Sequence, residues 1–182
     1  YLQPKCNMAT GELVSMEALA RWQKSDGTFV SPEEFIPLFE SSGFITRFDM
    51  YIWKSVCKTL AAWQDKGCKL VPISINVSMI DITNIDVPQY LSMLTEQYHI
   101  SPEYLPVEIT ESVFAESNTI VKNTITRFHK KGFYVLMDDF GSGYSSLNVL
   151  KDANVDYLKL DMKFMQIDAK NKGKGIQILK SI

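Results

Sequence analysis

The chain has 182 residues, with 19 Lys+Arg against 21 Asp+Glu (net charge −2), 46% hydrophobic and 22% charged residues. That composition suits a single globular domain over residues 1–182 with enough apolar side chain to bury a core, and it excludes disorder. It lacks the basic excess of a DNA or RNA polymer binder. No run nears the roughly 18 uncharged apolar residues of a membrane span, so no membrane contact is expected from this segment.

No signal peptide opens the chain, and a start at Tyr1 rather than Met suggests a piece excised from something longer. Cys6, Cys57 and Cys68 are odd in number and contain no close metal-ligand pair. Cys57 and Cys68 sit in apolar contexts and read as buried free thiols. His99 and His129 are isolated along the chain. These features argue against a zinc site or a Cys/His nucleophile and fit a reduced, cytoplasmic setting.

In chain order, Leu2–Met8 and Glu12–Trp22 read as a hairpin about the turn Ala9-Thr10-Gly11. Ser31-Pro32-Glu33-Glu34 starts a helix, with Ser as N-cap and Glu at the third position. A longer helix over 48–66 carries Ile52, Val56, Leu60 and Trp63 on one stripe. Alternation follows: strand 70–77, helix 87–98, strand 105–110, helix 119–131, strand 133–138, a helical turn 147–150, strand 155–160 and a final helix from about 172. Near-continuous apolar strands alternating with helices predict a parallel α/β sheet covered on both faces. Ile75-Asn76-Val77-Ser78 is not the Gly-rich loop of a doubly wound nucleotide binder. Polar groups recur at the C-terminal ends of the strands, where barrel enzymes build their sites, so a TIM-type (β/α)8 barrel is expected.

Strand periodicity sharpens that pattern. Glu17, Leu19 and Arg21 share one face, as do Ser74, Asn76 and Ser78, then Glu108 and Thr110. Asp138 ends its strand with Asp139 directly behind it, and Tyr157, Lys159 and Asp161 share a face. Three acids gathered beside an Asn at one rim cannot all stay charged without cations. Hard oxygen ligands suit Mg²⁺ or Mn²⁺, and two such ions would clamp a phosphodiester and activate a water. Lys159 would orient that water or neutralise phosphate charge. Singly, each residue has a plainer reading: a Schiff-base lysine for Lys159, an ion-pair partner for Arg21, packing for Trp22, a solvated acid for Glu111 or Asp161. The five-strand pattern is what points to a site.

Glu17-Ala18-Leu19 with Arg21 resembles the signature that names the EAL family of cyclic di-GMP phosphodiesterases. The resemblance runs on through Gln3-Pro4, Asn76-Val77-Ser78, Glu108-Ile109-Thr110-Glu111, Asp138-Asp139-Phe140-Gly141-Ser142-Gly143-Tyr144-Ser145-Ser146-Leu147 and Asp156-Tyr157-Leu158-Lys159-Leu160-Asp161. It implies a barrel whose first strand is antiparallel to the rest. It further implies metal-dependent hydrolysis of cyclic di-GMP to linear pGpG in bacterial signalling, by a protein fused to sensor or cyclase domains.

Position by position, the resemblance implies Glu17, Asn76, Glu108, Asp138 and Asp139 as ligands of two Mg²⁺ or Mn²⁺ ions. Lys159 resembles the residue that holds the attacking water, and Glu111 the glutamate that steadies the loop after Asp139. Gln3, Leu19, Arg21 and Asp161 would contact substrate. Such barrels need about 250 residues, so the last two βα units, with a further ligating glutamate, are expected to be absent here. The open edge would be covered by dimerisation or segment exchange. A chain so truncated is expected to bind metal without efficient hydrolysis. The alternatives are a cyclic di-GMP receptor without catalysis and an interaction scaffold.

Overall fold

A computed structural model of the chain describes residues 1–115, 119–141 and 153–161. The first hairpin forms because Asn7 turns the chain: its Oδ1 accepts from the amides of Ala9 (2.8 Å) and Thr10 (3.1 Å), and Gly11 takes φ 72°. Strands β1 (Leu2–Cys6) and β2 (Leu13–Ala18) pair antiparallel across it. The second strand was expected to reach Trp22 but ends at Ala18. Residues 22 and 23 instead form β3 (Trp22–Gln23), paired with β4 (Phe29–Val30) in a separate small ribbon.

Helix α1 (Pro32–Ser41) starts where Ser31 caps it, with Ser31 Oγ accepting from the Glu33 amide. The next helix, α2 (Ile45–Asp65), begins three residues before the expected Phe48 and buries Trp53, Val56, Cys57 and Leu60. Cys68 falls beyond its end in a surface turn at Gly67 and is exposed, which corrects the expectation of a buried thiol; Cys57 is buried as expected. Strand β5 (Ile73–Asn76) leads into a short helix, α3 (Met79–Asn84), that periodicity had not revealed. It forms because Ser78 and Asp81 make a reciprocal capping box. Then come α4 (Val87–Gln97), β6 (Val107–Thr110), α5 (Glu111–Ala115), α6 (Thr119–Lys130), β7 (Val135–Phe140) and β8 (Tyr157–Leu160). The expected turn at 147–150, the final helix from 172, and Ser142, Gly143, Ser145 and Ser146 lie outside the described residues.

Among the described residues, six strands form one sheet in the order β1-β2-β5-β6-β7-β8, and every pair except β1-β2 is parallel. The mixed α/β architecture, with an antiparallel first strand and a run of parallel ones, is that of an incomplete barrel. Residues in register share a face, so Gln3, Glu17 and Ser74 lie together, as do Asn76 and Glu108, Thr110 and Asp138, and Leu136 and Tyr157. The opposite face carries Ile73, Ile75, Val107, Ile109, Val135 and Met137, all 0% exposed and packed with the helices. Truncating one of these side chains to Ala would cost about 2–5 kcal/mol. The core face therefore sets the register, and the register places the polar face.

Candidate active site

Three carboxylates from three strands converge on the polar face. One oxygen each of Glu17, Glu108 and Asp138 lies within 4.8 Å of the others. Metal–oxygen bonds of about 2.0–2.6 Å allow two oxygens on one ion to sit up to roughly 5 Å apart, so this set fits a single hard cation. Glu17 comes from β2, Glu108 from β6 and Asp138 from β7. Asn76 stands in register with Glu108, and its carbonyl accepts from Trp53 Nε1 at 3.0 Å, which ties the end of β5 to α2.

The structure gathers these acids around an ammonium. Lys159 Nζ lies 2.9 Å from Glu17 Oε2 and 2.9 Å from Asp138 Oδ2, and also donates to Glu108 Oε2. It touches one oxygen of each acid, as a bound cation would. A donor set of oxygen anions around a positive centre matches the chemistry of Mg²⁺ or Mn²⁺. Burial alone would raise the Glu108 pKa, but hydrogen bonds from Lys159 and Lys5 outweigh it and hold the carboxyl below its usual range. Burial opposes charge on Lys159 as well, yet its bonds to Glu108, Asp138 and Glu17 raise its pKa.

Asp138 and Asp139 are consecutive, so a regular strand would aim them at opposite faces. A bulge changes this: β7 advances from Met137 to Phe140 while β8 advances only from Leu158 to Leu160. Asp139 sits in the extra position with φ 56°, and its amide donates to Asp138 Oδ1 at 2.8 Å. The crowding of its carboxyl, then the like charges of Asp138, Asp161 and Glu17, raise its pKa, with Lys159 opposing. Just beyond, Glu111 is buried and its Oε2 accepts from the Gly141 amide at 3.0 Å. The Asp161 amide donates to the Phe140 carbonyl at 3.0 Å, holding the ends of β7 and β8 together.

The remaining candidates are placed differently. Gln3 is in register with Glu17 on the rim. Leu19 and Arg21 lie past the end of β2 at Ala18, where Leu19 still pairs with Tyr1: its amide donates to the Tyr1 carbonyl at 2.9 Å and its carbonyl accepts from the Tyr1 amine at 3.0 Å. They line a cavity of about 360 Å³ with Tyr1 and with Ile52 and Ser55 of α2. Arg21 also borders a second cavity, of about 420 Å³, and its Nη1 donates to the Ala20 carbonyl.

Lys5 is the residue that the sequence reading missed. Its Nζ donates to Ser74 Oγ at 3.0 Å and to Glu108 Oε1, and lies 3.5 Å from Glu17 Oε2. The signal was available, since Lys5 is two residues from Gln3 and shares its face. His129 is not isolated either. Its ring nitrogens meet Asp156 Oδ2 (3.0 Å) and Asn154 Nδ2 (3.1 Å), and Asp156 Oδ2 also accepts from the Val135 amide. That network ties α6 to the N-terminal ends of β7 and β8, away from the acids at the other end of those strands.

The EAL domain family matches residues 1–182. A protein of Escherichia coli named probable cyclic di-GMP phosphodiesterase PdeB is 36% identical over 165 residues, covering 91% of this chain and 32% of that protein. Cyclic di-GMP phosphodiesterase PdeR, also of Escherichia coli, is 34% identical over 168 residues, covering 91% of this chain and 25% of that protein. Among solved structures, the PaMucR phosphodiesterase in its c-di-GMP complex superposes with a TM-score of 0.82 at 25% identity, covering all of this chain and 76% of that one. The chain thus spans a third or less of the length of these two relatives. Among the described residues no helix is long and apolar enough to cross a membrane.

Proposed function

Since the chain belongs to the EAL-domain family, we propose that it carries the metal-binding and substrate-binding part of a cytoplasmic phosphodiesterase. That enzyme opens cyclic di-GMP to linear pGpG in bacterial signalling, within a longer protein. The observation that carries this reading is the convergence of Glu17, Glu108 and Asp138 on one point, already held by a cation. Glu17, Asn76, Glu108 and Asp138 would hold Mg²⁺ or Mn²⁺, with Asp139 beside a second ion. Bound there, the ions would supply Lewis-acid charge stabilisation for in-line attack on the phosphodiester.

The chain's own groups do the rest. Lys159, displaced from the carboxylates by a divalent cation, remains within reach of the attacking water and holds it by hydrogen bonding. Glu111 fixes the start of the segment after β7 through the Gly141 amide. Gln3 at the rim, Leu19 and Arg21 beside their cavity, and Asp161 at the end of β8 contact the dinucleotide, Arg21 through a phosphate.

The test is incubation of the full-length protein that carries this chain with cyclic di-GMP and Mn²⁺, with separation of the products by chromatography. Formation of pGpG, abolished by Glu17→Ala, is expected. Tight dinucleotide binding without product would favour a receptor. Neither binding nor product from a folded chain would defeat the reading.

A further inference from the structure

We propose that Lys5 is a positioning residue, a fixed cation beneath the acid cluster that holds Glu108 in the attitude needed to take a divalent metal ion. This rests on the metal-dependent reading above and concerns a residue outside the ligand set. The antiparallel direction of β1 makes the placement possible. Gln3 pairs with Glu17 at the rim and Lys5 pairs with Ser15, so Lys5 starts on the same face about 7 Å deeper. Its side chain rises from there to Ser74 Oγ and Glu108 Oε1. Ser74 in turn donates to the Met16 carbonyl at 3.2 Å, which leaves its oxygen lone pairs for the ammonium.

The two lysines divide Glu108 between them. Lys159 takes Oε2, together with one oxygen each of Glu17 and Asp138, and so occupies the place a metal ion would need. Lys5 takes Oε1 from the other side. A divalent cation entering among the three acids must displace Lys159, while Lys5 keeps Glu108 Oε1 and stands farther off, 3.5 Å from Glu17 Oε2. Glu108 is only 1% exposed, so water cannot stabilise Oε1 in place of the ammonium.

A purely structural ion pair and a positioning residue differ in what removing Lys5 does to metal affinity. By Coulomb attraction alone, deleting a positive charge next to the site tightens cation binding. Loss of positioning weakens it, because Glu108 no longer presents Oε2. The test titrates the full chain with Mn²⁺ alone and reads free Mn²⁺ by electron paramagnetic resonance, comparing wild type with Lys5→Met. The expected result is affinity about tenfold lower or worse, the range that partners of metal ligands carry.

Equal or tighter Mn²⁺ binding by a folded Lys5→Met would overturn the proposal. Should that variant fail to fold, Ser74→Ala decides. It removes the uncharged anchor of the Lys5 ammonium and should weaken Mn²⁺ about threefold, the low end of what one hydrogen bond contributes; unchanged affinity would overturn the proposal equally. A wild-type chain with no Mn²⁺ affinity would instead defeat the metal-dependent reading itself, and this inference with it.

Discussion

A proton held between α2 and α3 should make the fold less stable as pH rises. Asp81 in α3 is fully buried. Its Oδ2 accepts from the amide (2.9 Å) and hydroxyl (2.7 Å) of Ser78, and its Oδ1 finds no hydrogen-bond donor in the deprotonated pair. Asp49 of α2 bonds to Asp81. Burial, then the charge of Asp81, their shared hydrogen bond and Glu40 of α1 push the Asp49 carboxyl up to about 8. Protonated, Asp49 supplies the donor that Oδ1 lacks. Between about pH 4 and pH 8 the folded chain keeps this proton while the unfolded chain, with an ordinary Asp, has released it. Stability therefore falls as pH rises through that interval and levels off above it.

Asp49→Asn donates to Oδ1 at any pH and should remove the dependence. Each pH unit is worth about 1.4 kcal/mol at full effect, or ~4 kcal/mol from pH 5 to pH 8. Asp49 keeps some contact with water, so about half of that is expected. Urea unfolding followed by tryptophan fluorescence at both pH values measures it. The variant's advantage over wild type should grow by about 2 kcal/mol. A constant difference, or a variant less stable than wild type at pH 8, would refute the shared proton.

Other consequences are simpler to read. Asp139 at φ 56° tolerates Asn better than Ala, so Asp139→Ala should lose about 1 kcal/mol more than Asp139→Asn in thermal unfolding. Glu111→Ala removes the carboxylate that the Gly141 amide donates to, so that amide should exchange with solvent faster in hydrogen exchange while the core strands are unchanged. Burial pushes the Cys57 thiol up to about 12, whereas Cys6 and Cys68 are exposed. Ellman's reagent should therefore label two thiols in the folded chain and a third only in denaturant.

Much of the site was legible because a strand's period of two carries over directly into which side chains meet. Ser74 and Asn76 in β5, Glu108 in β6 and Lys159 in β8 could each be placed on one face from the sequence alone. What stayed hidden depended on a neighbouring element. The β7 bulge exists only relative to β8, so nothing within Met137-Asp138-Asp139-Phe140 announces that both acids reach the rim. The end of β2 at Ala18 depends on where the small ribbon of β3 and β4 takes the chain, so Trp22 pairs with Val30 there and does not extend β2. The third helix had its signal in Ser78 and Asp81, with Asp where the usual capping box has Glu.

Lys5 shows how an antiparallel first strand changes what a barrel can build. In a uniformly parallel barrel every strand brings its C-terminal residues to the active rim, and residues deeper in the lumen are earlier in the same strand. Reversing β1 puts Gln3 at the rim and Lys5 below it, so a side chain entering from β1 climbs toward the acids while Lys159, from β8, meets them at their own level. Two ammonium groups thereby reach different oxygens of one buried glutamate, Lys5 at Oε1 and Lys159 at Oε2. Had both approached Oε2, any cation displacing one would displace the other and strand Glu108 without a hydrogen-bonded counter-charge, at a cost of several kcal/mol. Splitting the pair separates the charge that must leave from the charge that can stay.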